Sequence, residues 1–185
     1  METFTQLKSF VDNPQFNNQR KHSLSELDFN SIDPPIVEMV KNFAKLNFCF
    51  TQQCCYGHFV YENQNDHHNT SLLPTSSIPG EIEYRIAYIA LCLENSENGN
   101  TFLEKLKEVP SIDEQNIQIG CADWFWDQQV NSFVLQVEPE RFKHEDKATV
   151  TYDEALHLEK IRNSFFIKLN DIICQLSRVS SDMGD

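Results

Sequence analysis

The sequence predicts an α+β fold: one mostly antiparallel sheet of about five strands with helices packed on it, in the order α-β-β-β-α-β-β-α. Three observations predict it. Short segments rich in aromatic and β-branched residues recur at 48–51, 58–61, 82–93, 116–122 and 132–137. Other segments repeat apolar residues every three or four positions, most clearly at 151–177. The 185-residue chain holds 14 Phe and only 5 Gly, which suits one packed core better than a low-complexity chain. A single domain over 1–185 is expected, with an N-terminal helix and irregular arm (1–32), a sheet core (33–138) and a C-terminal helix (151–177).

Along the chain, Phe4, Leu7, Phe10 and Val11 predict a short helix over 3–12, ended by Asn13-Pro14. Residues 15–32 read as polar and irregular. Asp33-Pro34-Pro35 reads as a helix start, with Asp33 as the cap and Pro in the first turn. The helix continues to Leu46 through Ile36, Val37, Val40, Phe43 and Ala44. The strand at 48–51 is followed by a turn around Cys54-Cys55-Tyr56-Gly57 and by the strand at 58–61, which together make a cysteine-rich strand–turn–strand. Residues 62–81 form a long loop, a length that is usually functional or mobile. A central strand is expected at 82–93 and a helix at 98–108 with Phe102, Leu103 and Leu106 inward. Asp123-Trp124-Phe125-Trp126-Asp127 is expected to prolong the strand at 116–122. Thr151-x-x-Glu154 has the form of a capping box and opens the last helix.

Charge and composition narrow the function. The net charge of -13 disfavours bulk binding of nucleic acid, and no basic stripe offsets it. The opening Met1-Glu2-Thr3-Phe4-Thr5 has no basic start followed by an apolar run, and no apolar stretch reaches the ~20 residues of a membrane span. A cytoplasmic protein without membrane attachment is therefore expected, its six Cys reduced.

The densest chemistry lies in Cys49-Phe-Thr-Gln-Gln-Cys54-Cys55-Tyr-Gly-His58, with His67 and His68 in the following loop. Thiolates and imidazoles are zinc ligands, but paired CxxC spacing is missing and only Cys55-x-x-His58 is well spaced, so no metal ligand is assigned. The alternative is a set of buried, inert thiols. Cys55 or Cys54 at an exposed turn, with His58 as base, would suit a nucleophile; Glu138, Glu140 and Asp123 near strand ends are candidates for the orienting group. Gly57 predicts a positive φ, or a backbone that comes close to a ligand. Glu138-Pro139-Glu140-Arg141 reads as a solvated strand end, with acid–base work as the alternative. If Trp124 and Trp126 lie on an extended strand, both point to one face, toward the core or toward a planar ligand or partner.

A helix, a strand, then Thr-x-x-Cys-x-x-Gly-basic and a second strand resembles the wybutosine-synthesising tRNA methyltransferase family over about 33–138. The family's signature is Thr-Ser-Ser-Cys-Ser-Gly-Arg. Here Thr51 opens the segment and Cys55-Tyr56-Gly57-His58 stands for Cys-Ser-Gly-Arg. Gln53 and Cys54 replace the two serines, one extra residue follows Thr51, and His58 replaces Arg. Small uncharacterised proteins with a Cys-x-Gly-His turn are similar too. The resemblance implies S-adenosylmethionine as methyl donor, and Thr51, Cys55, Gly57 and His58 as site residues. The sequence thus supports a small enzyme or small-ligand-binding domain with its site at the Cys55–His58 turn. The alternative is a non-catalytic interaction or scaffold protein that presents an apolar patch near Trp124 and Trp126.

Overall fold

The computed structural model describes residues 4–64, 66, 68–76 and 80–182, with side chains as far as Leu176. The fold is α+β, as the alternation of segments predicts, but its strands form two antiparallel sheets instead of one. The larger sheet runs β1-β6-β7-β5-β2, built from β1 (Phe4–Thr5), β2 (Cys49–Cys55), β5 (Ala87–Leu93), β6 (Ile117–Ala122) and β7 (Ser132–Val137). The smaller runs β3-β4-β8, built from β3 (His58–Val60), β4 (Ile82–Arg85) and β8 (Lys147–Val150). The helices are α1 (Phe16–Glu26), α2 (Val37–Lys45), α3 (Glu97–Leu106), α4 (Asp123–Gln128) and α5 (Tyr152–Asp182).

The expected central strand at 82–93 is two strands, because Ile86 interrupts it and sends β4 into the small sheet and β5 into the large one. Tyr84 clamps this break. Its buried hydroxyl donates to the Val137 carbonyl at 2.9 Å and accepts from the Ala87 N–H at 3.1 Å. The cysteine-rich segment is likewise no hairpin: β2 pairs with β5, β3 pairs with β4, and Tyr56-Gly57 carries the chain from one sheet to the other.

The main core lies on one face of the large sheet. Ile89, Leu91 and Leu93 of β5 and Phe133 and Leu135 of β7 meet Val40 and Phe43 of α2, Phe102 and Leu106 of α3, and Leu158, Phe165 and Leu169 of α5. Burial of this stripe is what holds α5, whose start uses the expected Thr151 cap: its Oγ1 accepts from the Glu154 N–H at 3.3 Å. The Glu154 carboxylate does not close the box; it pairs with Arg141 at 2.5 Å.

Four further expectations are corrected. The expected helix over 3–12, whose first residue lies outside the described residues, is not formed: residues 4–12 are not helical, and Phe4–Thr5 pairs with Ala122 and Cys121 at the edge of the large sheet. Residues 15–32 are not irregular, because α1 lies there, its Phe16 packed on Phe50 and Cys92. Arg20 from α1 donates to the carbonyls of Ala44, Leu46 and Cys49. The aromatic run at 124–126 is helical in α4; Phe125 turns inward, Trp126 packs on Phe133 and Lys8, and Trp124 is 51% exposed. The two tryptophans therefore form no shared exposed patch. Strand β8 has no counterpart among the expected elements; its four residues alternate exposed and buried.

Candidate functional site: a cavity at the seam of the two sheets

The second face of the large sheet is covered unevenly. Phe16 of α1 covers it at Phe50 and Cys92, and Phe125 of α4 covers Ala90 and Val134. The rest stays open as a cavity of about 680 Å³ at the seam where β4 becomes β5. That volume lies within the range of small-molecule sites. Tyr88 and Phe125 supply rings, Gln53 and Gln136 supply carboxamides, and Cys55 supplies a thiol. Arg85 and Lys147 stand with Glu145 and Asp146 at the small-sheet end.

A β-bulge aims Cys55 into this cavity. Thr51 pairs with Leu91, but Gln53 pairs with Ala90, so one residue of β2 is extra. Side chains alternate along a strand, so the extra residue moves Gln53 and Cys55 from the core face to the cavity face, beside Ala90 and Tyr88. Thr51 stays buried before the bulge. Its hydroxyl has no hydrogen-bond partner, and it does not line the cavity.

The Tyr56-Gly57 turn follows. Gly57 has φ +89°, as its place in the sequence predicts. A Cβ there would stand 2.8 Å from the Ala87 Cβ, so close packing and backbone conformation both require glycine. The turn is fastened from α5. Fully buried Arg162 donates to the Gly57 carbonyl at 2.9 Å and lies 4.1 Å from the centre of the Tyr56 ring.

Asp33, read from the sequence as a helix cap, makes no capping bond. Its carboxylate turns to the turn instead. It accepts from the Tyr56 N–H at 2.8 Å and meets His58 Nε2 at 3.2 Å. His58 Nδ1 faces the Asn69 carbonyl at 3.1 Å. Both ring nitrogens of buried His58 thus face acceptors, and an imidazolium satisfies both by donating. Burial opposes that charge, but the hydrogen bonds to Asp33 and Cys55 outweigh it and raise the His58 pKa to about 10. For Asp33, burial alone would raise the carboxyl; the bonds from His58 and Tyr56 outweigh it and hold the group below its ordinary value.

Cys55 therefore sits beside a cation that already holds its proton, rather than beside a base. The orienting carboxylate is Asp33, none of the three expected candidates. Asp123 pairs with Lys8 and Glu140 with Lys143, while Glu138 is buried beside Gln136. Cys54 points to the core, and burial, with Asp33 nearby, pushes its thiol up to about 12. All six cysteines are free.

Glu138 is not the solvated strand end that the sequence suggests, being fully buried. Its Oε2 accepts from Gln136 Nε2 at 3.4 Å, while Oε1 has no partner. Burial, and after it the carboxylates of Glu145 and Asp146, raise its pKa to about 9. The group is a neutral acid behind the cavity wall at neutral pH.

No helix among the described residues is long and apolar enough to cross a membrane. No protein-family model and no curated protein matches the chain. Among solved structures, the chain is similar to the PH1069 protein from Pyrococcus horikoshii, with 10% identity, a TM-score of 0.47, and coverage of 90% of this chain and 95% of that one. It is also similar to a hypothetical protein from Aeropyrum pernix, with 10% identity, a TM-score of 0.41, and coverage of 79% and 98%. The α+β assignment rests on the strand pairing described above, and these likenesses add no function to it.

Proposed function

We propose that the chain is a small-molecule-binding domain with an enzymatic role, whose ligand occupies the cavity beside the Cys55–His58 turn. The size and lining of that cavity carry the reading. Tyr88 and Phe125 suit a planar ring, the carboxamides of Gln53 and Gln136 suit its polar edge, and the mixed charges of Arg85, Lys147, Glu145 and Asp146 suit a zwitterionic group. S-adenosylmethionine combines these features, and the resemblance at Thr51, Cys55, Gly57 and His58 implies the same molecule. The one residue by which the segment exceeds the family signature falls at the bulge between Thr51 and Gln53, which supports the alignment. When bound, the cofactor supplies an electrophilic methyl group. The chain's own residues bind and orient: Cys55 forms the wall, Gly57 lets the turn approach β5, and His58 holds a positive charge beside the thiol.

Calorimetric titration of the full chain with S-adenosylmethionine and with S-adenosylhomocysteine tests this. Binding is expected for both, weakened at least tenfold by Gln53→Trp, which fills the cavity from an exposed strand position. Undetectable binding of both ligands sinks the methyl-transfer reading. Tight binding that Gln53→Trp leaves unchanged puts the ligand elsewhere.

A further inference from the structure

Asp33 and His58 of the turn form a cluster with His68 of the following loop. Asp33, His58 and His68 each offer a ligand atom, and the three atoms lie within 4.8 Å of one another. We propose that these side chains bind a divalent first-row transition-metal ion, for which Zn²⁺ is the fitting probe. The inference does not depend on the cavity's ligand and uses none of the thiols. A carboxylate and two imidazoles are a donor set that zinc accepts with a further position left open.

The geometry supports it in three ways. Two donors on a tetrahedral Zn²⁺, each ~2.0–2.1 Å from the metal, stand about 3.3 Å apart. His58 Nε2 and Asp33 Oδ2 are 3.2 Å apart, close to that separation, so an ion that displaces the proton between them needs only reorientation of the rings and closure by His68. Outer partners of the usual kind are in position. His58 Nδ1 faces the Asn69 carbonyl, so the ring keeps its Nδ1 proton when the metal displaces the one on Nε2, and the Tyr56 N–H steadies the carboxylate. Finally, His68 is exposed, so the ion has a path from solvent. His68 is held in place by its own N–H to Asp66 Oδ1 at 3.0 Å, and its ring meets the His58 ring edge-on with centroids 5.9 Å apart. Bound metal would tie three segments together: the turn that leads into α2, the start of β3, and the loop after it.

The test is calorimetric titration of metal-free full-length protein with Zn²⁺ under reducing conditions. The expected result is one equivalent bound, at least tenfold more weakly in His68→Ala and unchanged in the control His144→Ala. Asp33→Asn and His58→Gln alter the folded turn, so judgement falls on His68→Ala, whose side chain is exposed. No binding in the wild type overturns the proposal. So does equal binding by wild type and His68→Ala, which is the result that zinc held by thiols would give.

Discussion

Two carboxyl groups, Asp33 partly buried and Glu138 fully buried, flank the Cys55 end of the large sheet, and the fold treats them in opposite ways. Asp33 is paired, with His58 on one side and the Tyr56 N–H on the other, and it keeps its charge. Glu138 has a carboxamide on one oxygen and nothing on the other, faces two further carboxylates, and keeps its proton. A buried acid keeps its charge only where hydrogen bonds and a counter-charge offset the loss of water. Asp33 therefore helps to build the turn, whereas Glu138 is a neutral acid with an unpaired oxygen, beside Gln136 of the cavity.

Breaking the paired side should have the larger effect. Asp33→Asn removes the counter-charge from buried His58 and is expected to lower the unfolding free energy by about 3 kcal/mol at neutral pH, read by urea denaturation. A change below about 0.5 kcal/mol would mean that the pair contributes nothing to the turn.

The unpaired side gives a smaller effect of opposite sign. Native Glu138 keeps its proton up to about 9, against an ordinary value of 4.5. The native state thus binds more protons than the unfolded one between these values. The contribution of Glu138 to stability is complete below about pH 4.5 and is lost as pH rises toward 9. Glu138→Gln removes this loss, so its stability relative to wild type should improve by about 2 kcal/mol from pH 5 to about pH 6.5. Denaturation curves at the two pH values check this, and a constant difference would show that Glu138 is ionised in the native state.

The same contrast explains which parts were legible in the sequence. The last helix was readable because Thr151 and the apolar stripe after it are local signals, and its buried face matches that stripe. β6 and β7 were readable for the same reason. The opening strand was not, since Phe4–Thr5 is extended only through pairing with β6, more than a hundred residues away. Nor was α1 readable, with Phe16 its only buried residue and Arg20 binding carbonyls around α2 and β2. The Trp124–Trp126 run has the composition of a strand, yet tertiary packing makes it helical. At the site, Cys55, Gly57 and His58 stand out as chemistry and as a turn. Asp33 looked like a cap, because Asp before Pro is one of the commonest helix starts. Arg162 carried no signal within its helix, and Glu138 looked exposed because strand ends usually are.

The central claim is that Cys55 faces the ligand cavity, and alkylation of the protein's thiols followed by mass spectrometry tests it most directly. With saturating S-adenosylhomocysteine, modification of Cys55 should slow at least tenfold, while exposed Cys174, far along α5, reacts at its unliganded rate. Saturated binding that leaves Cys55 as reactive as before would contradict the account.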